Sequence, residues 1–106
     1  MPVSLYEAVA EPHRRLILDL LRVGDRSVTD LVGALDIAQP TVSKHLKALR
    51  EAGLVEVKPQ AQRRFYRLRP EPLRELDDWL APFRESWRDR LDDLGRHLDR
   101  MAEEER

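Results

Sequence analysis

The sequence predicts a mainly α-helical fold with one small β-hairpin, in the order α-α-α-α-β-β-α. Three observations indicate this order. Before residue 53, apolar residues recur at three- and four-residue steps in four separate segments, as on one face of a helix. After residue 53, two segments instead alternate apolar and polar residues. From residue 73 the helical steps return and continue almost to the end of the chain.

The first two helices are short and follow each other closely. Residues 4–10 form the first, with Leu5 and Val9 turned inward. The second begins near Pro12, which suits a first helical turn, and ends at Gly24. Its inward apolar residues are Leu16, Ile17, Leu20 and Leu21.

Residues 27–52 contain two further helices that are separated by about three residues. Ser27 is a suitable N-cap for the third helix, with Asp30 as an imperfect capping-box partner, and this helix stops near Asp36. Pro40 lies in the first turn of the fourth helix, and Gly53 closes it. The inward residues of the two helices are Val28, Leu31, Val32 and Leu35, then Val42, Leu46 and Leu49.

Residues 54–58 and 63–69 are predicted to pair as a hairpin around the connection "PQAQ". The last helix covers residues 71–103, with apolar residues at 73, 76, 80, 83, 87, 91, 94, 98 and 101. This pattern resembles a heptad seam with one extra residue inserted near Trp87. Pro82 is expected to kink or break the helix.

Composition limits the class of protein. A chain of 106 residues, 42% apolar and 37% charged, suits a single soluble, helix-rich domain over residues 1–106. It contains no cysteine, which excludes disulfides, thiolate metal sites and thiol catalysis and makes a cytoplasmic location the default expectation. No apolar run is long enough to span a membrane, and the N-terminus lacks a secretion-signal pattern.

The net charge of −1 is distributed unevenly along the chain. Residues 1–69 hold 12 Lys and Arg against 8 Asp and Glu, a net +4, whereas residues 70–106 hold 7 against 12, a net −5. Only the first two-thirds of the chain therefore suit a polyanionic partner. Ordinary variation along a chain could also produce a difference of this size.

Two helices joined by a short turn and followed by a hairpin form a recurring DNA-reading arrangement. One helix with its side chains is about as wide as a major groove, so the second helix can enter it. The outward face of this helix is centred on Pro40, Lys44, Lys47, Ala48 and Glu51, with Thr41 beside them. Small residues allow close approach, while lysines and hydroxyls reach phosphates or base edges. The alternative is a solvated helix that happens to carry two lysines.

Eight residues are predicted to contact DNA: Gln39, Thr41, Ser43, Lys44, His45, Lys47, Arg63 and Arg64. His45 lies at the flank of the buried face, so it is either a phosphate contact or a structural, hydrogen-bonded histidine. Arg63 and Arg64, with Lys58 opposite, make the hairpin a basic wing for the DNA backbone. Arginine-rich hairpins also occur on ordinary protein surfaces.

The segments "VTDLVGALDIAQPTVSKHLKALREAGLVEVK" and "RRFYRLRP" closely resemble the winged helix-turn-helix repressors of the bacterial ArsR/SmtB type. "EPHRRLILDLL" resembles the second helix of the same family, and nearly the whole chain matches in order and length. The resemblance implies a homodimeric DNA-binding repressor that blocks a promoter. It also implies that Thr41, Ser43, Lys44, His45 and Lys47 lie on the recognition helix.

Many members of this family release DNA when they bind a metal ion, but their ligands do not recur here. One family site uses a cysteine pair in the third helix, where this chain has "DLVGALD". Another uses acids and histidine on the last helix, where His97 is the one histidine and Arg100 replaces an expected acid. His13 and His45 occur in separate helices. We therefore predict no metal site and no cofactor, and the effector is unknown.

Two further departures concern the ends of elements. The family often has serine before the Gln-Pro pair, whereas Ala38 offers no side-chain cap here. The wing tip often holds glycine, whereas this chain has "PQAQRR", so the turn geometry of the wing stays open.

The last helix predicts a two-fold dimer. It would be about 50 Å long at ~1.5 Å per residue, whereas a domain of this size is only ~30 Å across. The overhanging part would expose an apolar stripe that a second copy can cover. The alternative is that Pro82 breaks the helix and its second half folds back. Residues 4–10 and 71–103 are predicted as dimerisation helices, with interface residues Leu5, Phe83, Trp87, Leu91, Leu94 and Leu98.

Two other classes of function were weighed against a transcriptional repressor. A winged-helix interaction module without DNA binding would carry acids on the recognition face, whereas this chain has Lys44 and Lys47 there. An enzyme would need a phosphate loop, a metal cluster or a nucleophile–base pair, and the sequence offers none of these patterns. We therefore predict a non-enzymatic regulator whose partners are double-stranded DNA and a second copy of the chain, with no membrane partner.

Overall fold

The computed structural model describes residues 3–105 and confirms the predicted fold class. The helices are α1 (Leu5–Ala10), α2 (Pro12–Val23), α3 (Val28–Leu35), α4 (Gln39–Glu51) and α5 (Leu73–Glu104). The strands are β1 (Arg26–Ser27), β2 (Val55–Gln60) and β3 (Arg63–Leu68). None of the described helices is both long enough and apolar enough to cross a membrane.

The chain forms two compact units, and the single domain over 1–106 stays a prediction. The first unit ends at Leu76 and contains the helices and strands up to the start of α5. The second begins at Asp77 and consists of the rest of α5, which has no buried residue. A single helix cannot enclose a core of its own, which is why the core belongs to the first unit.

The core of the first unit collects apolar side chains from α1, α2, α3, α4 and β2. Its buried residues are Leu5, Ala8, Ile17, Leu21, Leu31, Val42, Leu46, Leu49, Leu54 and Val55. Leu5, which we predicted at a dimer interface, is only 7% exposed within its own chain. Most of its apolar surface is therefore buried within its own chain, and its place at a dimer interface stays a prediction.

The sequence did not reveal the third strand of the sheet. The strand order is β1-β3-β2, and both pairings are antiparallel. Arg26 pairs with Tyr66, and Ser27 pairs with Phe65. A strand of two residues leaves no alternating pattern to detect, because its pairing depends on backbone groups alone.

The start of α3 is fixed more firmly than the sequence indicated. The Ser27 hydroxyl accepts a hydrogen bond from the backbone N–H of Asp30 at 3.1 Å. The Asp30 carboxylate accepts one from the backbone N–H of Ser27 at 3.0 Å, which completes the capping box. Hydrogen bonds from the backbone N–H and the side chain of Ser27 to the carboxylate hold the pKa of Asp30 below its usual value. The same residue, Ser27, thus links the sheet to the first helix of the helix-turn-helix.

The hairpin is longer and its turn tighter than predicted. Pro59 and Gln60 continue β2, which leaves only Ala61 and Gln62 as the connection. Pro59 is tolerated because β2 is an edge strand, where a missing N–H breaks no sheet pairing. Ala61 has a φ of 57°, in the left-handed region that favours glycine.

Replacing Ala61 with glycine is expected to stabilise the protein by about 1 kcal/mol or less. A side chain in the left-handed region costs about 1–2 kcal/mol, and part of the gain is offset by the added freedom of glycine in the unfolded chain. Urea unfolding measures the difference. Gln62→Gly is the matched control and should lower stability, because Gln62 has no positive φ. A destabilised Ala61→Gly variant would contradict this turn geometry.

Candidate nucleic-acid interface

One face of α4 is anchored in the core, and the opposite face is presented outward. Val42, Leu46 and Leu49 are buried at helical spacing, which fixes the rotation of the helix about its axis. The outward residues that the structure leaves exposed are Gln39, Thr41, Ser43, Lys44 and Lys47. Five of the six predicted contacts on this helix therefore lie where an external partner can reach them.

The beginning of α4 is exposed and has no side-chain cap. Ala38, at the N-cap, makes no side-chain hydrogen bond to the first turn, as its methyl group requires. Pro40 occupies the first turn, where its missing N–H would have had no helical partner. The N–H groups of Thr41 and Val42 donate to the carbonyl of Ala38 at 3.0 and 3.1 Å, so the N–H of Gln39 and the positive end of the helix dipole are what favour an anion at this position.

Helix α3 braces α4 through a short connection. The chain leaves α3 at Asp36, which adopts a left-handed conformation (φ 54°) and donates its backbone N–H to the carbonyl of Val32 at 2.9 Å. Leu31 is fully buried beneath the two helices. The arrangement is a helix-turn-helix with α4 as its second, outward-facing helix.

Four cations on this surface have no ion-pair partner among the described residues. Within residues 3–105, no carboxylate lies within 4.0 Å of the charged nitrogens of Lys44, Lys47, Arg63 or Arg64. By contrast, Arg67 pairs with Asp25 at 3.0 Å, and this bond raises the pKa of the guanidinium. The positive charges of Lys44, Lys47, Arg63 and Arg64 therefore remain available to an external anion.

Arg63 and Arg64 begin β3 and lie next to the tip of the hairpin. Both are exposed, and they pair in register with Gln60 and Pro59. Lys58 pairs with Phe65 instead, so our placement of this lysine opposite the arginines was wrong by one or two positions, because β2 extends further than predicted. A shallow groove between the wing and the start of α3 is lined by Thr29, Arg63 and Arg64 among others. Thr29 is a polar residue that the sequence analysis did not single out.

Two residues of α4 lie differently from our predictions. Ala48, placed on the outward face, is buried, because a methyl group extends too little to escape its neighbours. His45, predicted to contact DNA, has a side chain only 14% exposed and turns toward the start of α2. Its Nδ1 accepts a hydrogen bond from Nε of Arg14 at 3.3 Å. The geometry therefore favours a structural, hydrogen-bonded role for His45 over a contact with a DNA phosphate.

His45 belongs to a cluster with Glu11 and His13. The rings of His13 and His45 stack, with centroids 5.9 Å apart and planes at 22°. Glu11 Oε1 lies 3.1 Å from His13 Nδ1, and Glu11 Oε2 lies 3.8 Å from His45 Nε2. The two histidines do come from separate helices, as expected, but the fold brings them together. Sequence spacing gives no signal for a contact between residues so far apart along the chain.

The electrostatics of this cluster favour the charged form of the Glu11 carboxylate and the neutral form of the His45 imidazole. Partial burial acts to raise the pKa of Glu11, but the backbone N–H of Arg14 and the two histidines outweigh it, so the pKa is lowered. Burial lowers the pKa of His45, and the nearby Arg14 and His13 add to this effect against the opposing influence of Glu11.

Comparisons with known proteins agree with this architecture. Residues 11–57 match the family described as "Bacterial regulatory protein, arsR family". The chain is similar to the transcriptional repressor SdpR of Bacillus subtilis (strain 168), with 31% identity over 80 residues that cover 76% of this chain and 89% of that protein. It is also similar to the arsenical resistance operon repressor of Escherichia coli (strain K12), with 37% identity over 90 residues that cover 83% and 74%.

A solved structure shows the same fold. It is the solution NMR structure of a homodimeric winged helix-turn-helix DNA-binding domain from Mycobacterium bovis, a possible ArsR-family transcriptional regulator. The TM-score is 0.61 at 33% identity, covering 74% of this chain and 73% of that one. The chain therefore belongs to the ArsR family of bacterial regulatory proteins, and it is a transcriptional regulator with a winged helix-turn-helix DNA-binding fold.

Proposed function

We propose that the chain acts as a homodimeric repressor that binds a near-palindromic operator with α4 in the major groove and thereby blocks a promoter. One observation carries this proposal. The exposed cations Lys44, Lys47, Arg63 and Arg64 of α4 and the wing have no ion-pair partner among the described residues, and the buried face of α4 fixes which way its own outward surface points. Such a protein acts where the chromosome lies, which agrees with the expected cytoplasmic location.

The outward face of α4 has the chemistry for groove recognition. Lys44 and Lys47 can neutralise phosphates or donate to base acceptors, while Thr41 and Ser43 are short enough to allow close approach. The N–H of Gln39 and the positive end of the α4 dipole can bind a phosphate at the edge of the groove. Gln39 starts the helix and can reach a base edge or the backbone. His45 is left out of this proposal because it faces α2.

The wing supplies sequence-independent contacts. Arg63 and Arg64 are exposed and free of internal ion pairs among the described residues, so their guanidinium groups can bind phosphates next to the groove that α4 enters. Such contacts fix orientation and raise affinity without reading bases. Together with the lysines of α4, they make binding fall steeply as salt rises.

The dimer is supported by the exposed apolar stripe of α5. We expected Pro82 to kink or break α5, and the helix continues through Pro82 without a break. Trp87 is 53% exposed and Leu91 is 67% exposed. The other exposed apolar residues of the stripe are Phe83, Leu94, Leu98 and Met101. A stripe of this length requires a partner, and a second copy is the simplest one.

A two-fold dimer would explain how a small domain selects one site. Two copies of α4 would lie about one DNA turn apart, ~34 Å, and would read two inverted half-sites. Linking two weak half-site contacts raises the overall affinity well above that of either alone. Occupation of such a site within a promoter would block transcription.

Selection of bound duplexes from a random DNA pool tests this proposal. The purified full-length protein is expected to enrich one near-palindromic motif, and competition with unrelated DNA should not remove it. A pool that shows no shared motif after repeated selection would instead support an interaction module that has lost DNA binding.

A further inference from the structure

We propose that Glu11, His13 and His45 form a binding site for a divalent transition-metal ion, best suited to zinc, between the start of α2 and α4. This site differs from the two family sites considered above, because it uses neither the third helix nor the last one. It also replaces our prediction from the sequence that the chain has no metal site.

The spacing of the potential ligand atoms supports the site. Zinc bound tetrahedrally to nitrogen and oxygen at ~2.0–2.1 Å holds its ligand atoms about 3.3 Å apart. One ligand atom from each of Glu11, His13 and His45 lies within 4.8 Å of the others. The contacts of Glu11 with His13, at 3.1 Å, and with His45, at 3.8 Å, are already close to the required spacing. Small side-chain rotations complete it.

The types of ligand select the class of metal. Two imidazoles and one carboxylate suit zinc and its neighbours in the first transition row, whereas calcium and magnesium prefer sites made of oxygen alone. Three protein ligands leave one position of a tetrahedral zinc ion open for water. The side chain of His13 is 47% exposed, so an ion can enter from solvent.

The carboxylate is held in place by the backbone. Glu11 Oε2 accepts a hydrogen bond from the N–H of Arg14 at 3.0 Å while it caps α2. A ligand whose orientation is fixed by a second hydrogen bond binds metal more tightly than a free one. The short link from Glu11 to His13 places both residues at the first turn of α2, and His45 reaches them from α4.

Arg14 competes with the metal for His45. Nδ1 of His45 now accepts a hydrogen bond from Arg14 Nε, so this nitrogen holds no proton in the neutral ring. A metal at Nδ1 would displace Arg14 directly. A metal at Nε2 would shift the ring proton to Nδ1, where it would face the N–H of Arg14. In both cases Arg14 must release His45 when the ion binds.

Metal binding would therefore change how α4 is held. Arg14 also donates to the backbone carbonyl of Glu7 at 3.1 Å, so its displacement affects the connection between α1 and α2 as well. The ion would tie α4 to the start of α2 through His45. This regulatory part rests on the proposed function, in which α4 is the recognition helix.

Titration of untagged full-length protein with Zn²⁺ and Co²⁺ tests the site. We expect one ion per chain, with Co²⁺ giving the visible absorption bands of a tetrahedral site and Zn²⁺ removing them. His13→Gln and Glu11→Gln should weaken binding by about 10-fold or more, because each removes one ligand. Glu11→Gln keeps an oxygen that can still cap α2.

The matched controls are His97→Gln, which removes the remaining histidine, and Arg14→Gln, which removes the competing cation. His97→Gln should leave the zinc affinity unchanged. Arg14→Gln should leave the zinc affinity unchanged or increase it. Absence of zinc binding at micromolar concentrations, or full binding by His13→Gln, would overturn the site, as would loss of binding in His97→Gln.

The regulatory part is tested separately by titrating a selected operator with and without Zn²⁺. The affinity of the unaltered protein is expected to change with the metal, whereas that of His13→Gln is expected not to. Zinc binding without any change in operator affinity would overturn the regulatory part alone. If the protein bound no DNA with or without zinc, that result would count against the proposed function. The metal titration would still show whether Glu11, His13 and His45 bind zinc.

Discussion

A variant with Lys44→Ala and Lys47→Ala is expected to lose operator affinity by about 100-fold or more while it stays folded and dimeric. Each contact of this type contributes about 1–3 kcal/mol, and the two-fold symmetry removes every contact twice. Both side chains are exposed and free of internal ion pairs among the described residues, so their truncation costs the fold little. Fluorescence anisotropy with a selected operator measures the change.

The matched control carries Arg22→Ala and Arg74→Ala, which remove the same charge from exposed positions outside α4 and the wing. The operator affinity of this control should fall only slightly. The two substitutions weaken the long-range electrostatic attraction to DNA, but they remove no contact in the groove. The lysine variant should also show a shallower dependence of affinity on salt, by about one unit of slope per lost phosphate contact. Equal losses in the two variants would refute the assignment of α4 as the recognition helix.

The second large effect concerns the assembly. Trp87→Asp is expected to convert the dimer to monomers, because it places a charge at the middle of the proposed apolar seam. A buried tryptophan contributes 150–250 Å² of contact area, and a charge buried without a partner is strongly unfavourable. Light scattering at micromolar concentration measures the mass. The monomer should also bind the operator far more weakly, because the two half-sites would no longer be linked.

Arg96→Asp is the control for this substitution. Arg96 follows Trp87 by nine residues, which at 100° per residue places it about half a turn away, on the opposite side of α5. It pairs with Asp93 on the helix surface, and its replacement should leave the dimer intact. A Trp87→Asp protein that keeps the mass of the unaltered dimer would show that α5 does not form the interface through this stripe.

Much of the fold could be predicted because its signals are local. The buried residues Val42, Leu46 and Leu49 repeat at helical spacing, and Ser27 and Gly53 mark the ends of elements. The exposed face of α4 follows from the same periodicity. These features depend on neighbours a few positions apart, which a sequence displays directly.

The features that were missed depend on contacts between distant segments. Strand β1 forms only because its two residues pair with β3, and Leu5 is buried only because other elements cover it. The contact of His45 with Glu11 and His13 arises from the packing of α4 against α2. The length of β2 was missed for another reason. In a sequence, Pro59 indicates the end of a strand, because proline is tolerated within a strand mainly at the edge of a sheet, and the sequence does not show that β2 is an edge strand.

The central claim is that α4 enters the major groove of a two-fold operator, and methylation protection of guanine N7 tests it most directly, because that atom lies in the major groove. With a selected operator, we expect two protected clusters whose centres are one helical turn apart, roughly 34 Å. Lys44→Ala with Lys47→Ala should remove both clusters together. Stable binding that leaves the N7 atoms of the selected site fully reactive would contradict the claim.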